Sequence, residues 1–231
     1  MFGRRAVVEM ELVAWRRDSF PELKRRGGAR AGAGRKPAAA HLRRTPHRAR
    51  EKHQRGNPVH ITLRANMRSL RNQHVARTVM GAIRDSSRAQ FRIAHYSVQD
   101  NHLHLIVEAE SSRALSGGVR GLEIRIAQRV NRLLFRRGRF WADRWHGRPL
   151  ASPRQVRNAL IYVLQNRKKH VPAGPALDAL SSAESFDGFA RAMPTAFRSV
   201  GPPGVAPQTW LLAVGWKQRG LIDWLAEVPA R

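Results

Sequence analysis

Apolar and polar residues alternate over Val59-His60-Ile61-Thr62-Leu63, and this β-branched run predicts a first strand. Ser69 is placed to cap a helix running to about Ser86, with Leu70, Val75, Val79, Ala82 and Ile83 as its inward face. Phe91 to Val98 reads as a second strand. Gln99-Asp100-Asn101 then turns the chain, and His102 to Glu108 returns as a third. A second helix is expected from about Ser116 to Arg136, burying Leu122, Ile126, Val130 and Leu133 or Leu134. Arg139 to Leu150 reads as extended. Ser152-Pro153 then opens a third helix with a capping residue and a proline at its first position. That helix should run to about Lys169 and stop before Pro172. The order predicts an α+β protein with a ferredoxin-like antiparallel sheet (βαββαβ) and one added C-terminal helix.

The flanks read differently. Residues 1–57 form a basic extension with a low-complexity run, Gly27 to Pro37, and too little apolar content to build a core. Gly34-Arg35-Lys36-Pro37 faintly resembles a minor-groove hook, although a plain basic tail is the simpler reading. Residues 58–170 are expected to form the main folded domain. Residues 171–231 read as a linker at Gly201-Pro202-Pro203-Gly204 and a small apolar tail, Thr209 to Leu225, that docks on the body.

Charge narrows the class of partner. The chain of 231 residues has a formal net charge of +27. Five basic residues in the tail (Arg191, Arg198, Lys217, Arg219, Arg231) are balanced by Asp178, Glu184, Asp187, Asp223 and Glu227, so the excess lies upstream. An imbalance of that size implies a polyanionic partner, nucleic acid above all. The chain contains no cysteine, which excludes disulfides, thiolate zinc sites and a cysteine nucleophile. No apolar run is long enough to span a bilayer, and the N-terminus lacks the apolar core of a signal peptide. A cytoplasmic, nucleoid-associated protein is the expectation.

Two stretches carry candidate chemistry. Strand alternation points His102 and His104 to one face and Leu103, Leu105 and Val107 to the other. Two imidazoles at that spacing can share a metal ion. In the third helix, Val156, Ala159, Leu160, Val163 and Leu164 form the buried stripe. Tyr162 lies off it, with Asn166 one turn on and Lys169 beyond. A divalent ion held by His102, His104 and the Asn166 carbonyl could grip a scissile phosphate while Tyr162 attacks phosphorus. The donor set suits Mg2+ or Mn2+, with two histidines favouring Mn2+.

These residues carry a resemblance. The blocks Pro58 to Arg64, Asp100 to Val107, Asp143-Arg144-Trp145-His146 and Tyr162 to Asn166 resemble the HUH single-tyrosine transposases. Within them, the chain resembles the REP-associated tyrosine transposase (RAYT) branch of bacteria. The resemblance implies a metal-dependent enzyme that nicks and rejoins single-stranded DNA near hairpins through a covalent phosphotyrosine intermediate. It implies Tyr162 as nucleophile and His102, His104 and Asn166 as metal ligands, with Gln165 a conceivable substitute. Arg64, Arg144, His146, Arg148, Arg167, Lys168 and Lys169 are expected to contact the DNA. Trp145 stands where the family block tends to have tyrosine. The family includes monomers and dimers, and both stay open here. The alternatives are a domesticated, non-catalytic protein that binds DNA or RNA hairpins, and, less favoured, a replication initiator or relaxase.

Overall fold

The computed structural model describes residues 52–171, 177–192 and 204–227, together with residue 229. The Gly27 to Pro37 run and the Gly34-Arg35-Lys36-Pro37 element lie outside the described residues, as does most of the Gly201 to Gly204 linker. Four strands form one antiparallel sheet: β1 (Val59–Arg64), β2 (Phe91–Val98), β3 (His102–Ala109) and β4 (His146–Pro149). Their order is β2-β3-β1-β4. β3 lies between β1 and β2, and β1 lies between β3 and β4, which is the expected ferredoxin-like arrangement.

Helices α1 (Gln73–Arg84) and α2 (Ser112–Leu133) cover one face. Beneath them lies a core of Val59, Ile61, Leu63, Leu103, Leu105 and Val107 from the sheet, with Val79, Ile83, Leu122 and Ile126 from the helices. Phe91 and Tyr96 are also buried in this core. The sheet therefore does not display them as an aromatic platform for RNA bases. Helix α3 (Pro153–Leu164) packs on the opposite face, over Ala94 and Ile106.

Three element boundaries differ from the sequence expectation, each for a local reason. α1 is capped by Asn72, whose side chain accepts from the His74 amide. Ser69 instead accepts from the Arg71 amide and donates to Asp100, and Leu70 is buried ahead of the helix. α2 starts four residues earlier than Ser116, because Ser111 accepts from the Ala114 amide and caps it. Gly117 and Gly118 therefore lie inside the helix. A Cβ at Gly118 would come within 2.1 Å of the Phe91 ring, so glycine permits this helix to approach the sheet. α2 also ends earlier, and Leu133 and Leu134 are exposed rather than inward. The extended segment after Arg139 contributes only the four residues of β4 to the sheet.

The third helix is broken. α3 stops at Leu164, Gln165 leaves helical geometry (φ −117°, ψ 15°), and a separate short helix α4 spans Asn166–His170.

The C-terminal segment, described over residues 177–192 and 204–227, builds a second core against α3. Trp216, Leu212, Phe186 and Ile222 pack there with Val156, Leu160, Val163 and Leu164. Its helical pieces are short: a 3-10 turn at Ser182–Ser185, α5 (Trp210–Ala213) and a 3-10 turn at Gly215–Arg219. The same segment occupies the outer edge of β2. The Val98 amide donates to the Leu180 carbonyl (2.8 Å), the Tyr96 amide to Ser182 Oγ (3.1 Å), and the Val205 amide to the Ile93 carbonyl (3.0 Å). An open strand edge invites pairing with other chains, and here it is occupied from within. Buried Glu108 anchors the far end, accepting from the amides of Gln208 and Thr209 and from the Thr209 hydroxyl.

The same interface makes stability depend on pH. His95 is buried against the Phe186 ring, with Nδ1 3.3 Å from Ser182 Oγ. Burial lowers its pKa to about 4, with only Asp187 opposing. The unfolded chain therefore takes up this proton first, and the folded state loses stability as pH falls from about 6.5 toward 4. The contribution is complete above that window and amounts to roughly 3 kcal/mol. Urea unfolding should show a lower midpoint at pH 5 than at pH 7.5, and His95→Gln should remove about half of that slope, the rest belonging to His60, whose pKa burial lowers equally. An equal slope in the variant would assign the effect to other groups.

Candidate active site

The α3 face of the sheet carries polar residues in ordered rows. Register pairs Thr62 with His104 and with His146, and pairs His104 with Ser97. The next row pairs His60 with Ile106 and with Arg148, and Arg64 stands opposite His102 at the end of β1. The period of two that sends Val59, Ile61 and Leu63 into the first core thus sends His60, Thr62 and Arg64 to this face.

Tyr162 comes down on these rows from α3. Its ring centroid lies 5.0 Å from His104 and 5.6 Å from His60, edge-on in both cases. His102 stands beside His104, ring centroids 4.7 Å apart. The structure therefore brings together the two histidines and the tyrosine named from sequence, and adds His60 and Thr62, which sequence reasoning missed. The signal was available: both sit on the polar side of an alternating strand. What sequence alone lacked was the strand order that puts β1 beside β3.

The hydrogen bonds orient the rings. His104 Nδ1 lies 3.2 Å from His60 Nε2 and 3.2 Å from Thr62 Oγ1. His102 Nδ1 lies 2.9 Å from Asn101 Oδ1. Each Nδ1 thus has a neighbour that fixes its ring, and Nε2 is the nitrogen each ring can turn toward a metal. His60 itself is held neutral: burial, then the nearby charges of Arg148 and His146, lower its pKa to about 4. A neutral His60 can accept from or donate to His104 without adding positive charge at the ligand pair.

Asn166 and Gln165 are both buried, and among the described residues the amide oxygen and nitrogen of each have no hydrogen-bond partner. Buried amides without partners are costly, and a ligand that takes up their oxygens removes part of that cost. Among the described residues no group of three or more His, Cys, Asp or Glu could hold a metal ion. Two imidazoles with oriented Nδ1 atoms, and separately a buried amide oxygen without a hydrogen-bond partner, are donor types that a divalent ion takes. The helix break changes the geometry read from sequence: Asn166 opens α4 and does not continue α3 one turn past Tyr162.

The expected DNA contacts divide. Arg64, His146 and Arg148 are exposed and flank the histidines on the same sheet face, and Arg144 is exposed in the segment before β4. Arg167 pairs with Asp100 (3.3 Å), which ties α4 to the turn ahead of His102. Lys168 donates to the Trp224 carbonyl, so its ammonium is engaged by the C-terminal segment. Desolvation there lowers its pKa. The side chain of Lys169 lies outside the described residues. Trp145 is buried in the first core, a packing role in place of a hydroxyl. No helix among the described residues is long and apolar enough to cross a membrane.

No family model matches the chain, and no curated protein matches it. Among solved structures, it is similar to a REP-associated tyrosine transposase bound to a REP hairpin, at 16% sequence identity. The match covers 70% of this chain and 92% of that one, with a TM-score of 0.49.

Proposed function

We propose that this protein is a metal-dependent enzyme that nicks and rejoins single-stranded DNA near hairpins, as the HUH transposases do. The observation that carries the reading is the phenol of Tyr162 set edge-on against His104 and His60, with His102 alongside and arginines around it. A tyrosine placed only for packing has no need of oriented imidazoles beneath it.

In this reading Tyr162 Oη attacks the scissile phosphorus. The phosphorus–oxygen bond to the neighbouring nucleotide breaks as the bond to tyrosine forms. The phenol loses a proton and the released strand end gains one as a free hydroxyl. Because bond energy is kept in the phosphotyrosine, the reverse attack rejoins a strand without ATP. His102, His104 and the Asn166 carbonyl would hold Mg2+ or Mn2+, with the neighbouring Gln165 amide as the substitute for Asn166. The bound ion would supply charge stabilisation to the non-bridging phosphate oxygens. His60, Thr62 and Asn101 keep the two ligand rings aimed, and Arg64 and Arg148 meet the strand's phosphates on either side.

The test uses labelled single-stranded DNA hairpins with natural flanks, incubated with the full chain and Mn2+ or Mg2+. A denaturing gel should show a covalent protein–DNA adduct that EDTA abolishes and added Mn2+ restores. Asn166→Ala should need a higher metal concentration, by about 10- to 100-fold. Tight hairpin binding with no adduct in either metal would establish the non-catalytic binder instead.

A further inference from the structure

Helix α2 ends in an arrangement that ordinarily takes glycine. The Phe135 amide donates to the Arg132 carbonyl (3.3 Å) and the Arg136 amide to the Asn131 carbonyl (2.8 Å), the paired bonds of a Schellman motif. The residue between must adopt the left-handed conformation, which a side chain disfavours. Here that residue is Phe135, at φ 51°. Its ring recovers nothing from the fold, being 97% exposed among the described residues, with exposed Leu133 and Leu134 beside it. A bulky aromatic held out at a position suited to glycine is placed for something outside the fold.

The surroundings indicate what that is. Residues 132–139 include Arg132, Arg136, Arg137 and Arg139 and no acidic residue. The loop is pinned: Arg136 donates to the Asn66 carbonyl (3.3 Å), the Asn66 amide to the Phe140 carbonyl (2.6 Å), and the Ala142 amide to the Arg64 carbonyl (2.8 Å). These bonds hold the ring at the end of the sheet where β1 finishes and β3 begins, the end that carries Arg64 and His102. Arg64 and this loop therefore stand at the same end of the sheet.

We infer that Phe135 is a stacking wedge for nucleic acid, its ring lying on an unpaired base or the last base pair of a hairpin. Arg132 and Arg137, both exposed, meet the adjoining phosphates. Flat aromatic rings stack on every base, and arginine supplies the counter-charge. An anionic bilayer would also attract this charge. However, upstream exposed positions of α2 are chiefly polar (Arg113, Ser116, Arg120, Gln128), which does not make the long apolar face of a membrane-surface helix. The wedge adds a second anchor for the DNA of the proposed cleavage site, and depends on that proposal only for the choice of hairpin.

The test measures fluorescence anisotropy of a labelled DNA hairpin with a single-stranded flank, using the full chain carrying Tyr162→Phe so that no adduct forms. Phe135→Ala should weaken binding about tenfold, or ~1.4 kcal/mol, with the salt dependence unchanged because no phosphate contact is lost. Phe135→Trp should bind as the parent does, while Phe135→Leu, apolar but not flat, should bind as weakly as Phe135→Ala. Melting curves confirm that each variant is folded. Hairpin affinities within twofold of the parent for Phe135→Ala overturn the proposal. So does loss of binding to phosphatidylserine vesicles with hairpin binding intact. A Phe135 effect without any adduct from the unmodified chain sinks only the cleavage reading; an adduct without a Phe135 effect sinks only the wedge.

Discussion

Tyr162→Phe should fold, bind hairpin DNA and form no covalent adduct. The substitution removes one hydroxyl from a ring whose edge-on packing on His104 and His60 is otherwise kept. Its effect on stability should stay within about 1 kcal/mol. Adduct formation should fall by at least about a thousandfold, since the attacking oxygen is gone and nothing can replace it in place. The chain has two tyrosines, and the other, Tyr96, is 2% exposed inside the first core, out of reach of DNA. Gel analysis of the two proteins beside each other, with circular dichroism to verify folding, settles the point. An adduct that persists in Tyr162→Phe would move the nucleophile to a serine, threonine or histidine and end the phosphotyrosine reading.

Arg71→Ala should be the most destabilising single change at a charged residue. The Arg71 guanidinium grips Asp178 through two bonds of 2.8 Å and also donates to the Val98 carbonyl (2.6 Å). The Asp178 side chain is 3% exposed and Arg71 19%. Removing the arginine leaves a buried carboxylate without its partner, which costs about 3–5 kcal/mol. For a chain of this size the melting temperature should drop by about 10 °C. The loss should be concentrated where residues 178–182 meet β2. Hydrogen exchange at the Val98 and Tyr96 amides, whose acceptors are Leu180 and Ser182, reads that directly. Adding Asp178→Ala to Arg71→Ala should recover part of the loss, because the stranded charge goes with it. A double variant as unstable as the sum of both singles would show that the pair is not coupled.

The sheet and its helices were legible because their signals are local. Alternation marks β1 and β3, and the 3.6-residue stripe marks α1 to α3 with the inward residues largely right. The boundaries at Asn72 and Ser111 went to whichever nearby polar side chain had the better amide to accept from, a choice made by tertiary position. The break at Gln165 has no proline or glycine to announce it. There Gln165 and Asn166 are both buried, a tertiary placement that side-chain type does not announce. His60 and Thr62 entered the site through strand order, a long-range property. The packing of residues 177–192 and 204–227 is predicted from sequence only as a docked apolar tail. Its role along the β2 edge depends on backbone hydrogen bonds, which leave no pattern in side-chain type.

That closure has a kinetic meaning. Arg71 and Asp178 are 107 residues apart, and Glu108 and Gln208 are 100 apart. Contacts between residues so distant in sequence require large loops to close before they return any stabilisation, and such contacts slow folding. Strands β1 to β3 and helix α1 can form from nearer partners, whereas β4 closes on β1 across a span as long as that of the β2 seal. The seal on β2 and the docking of β4 are then the late events, and refolding should proceed in two phases, with Val98 gaining protection in the slower one. Until then, a nascent chain exposes both the β2 edge and the apolar surface of α3, and that interval is when it is most prone to aggregate.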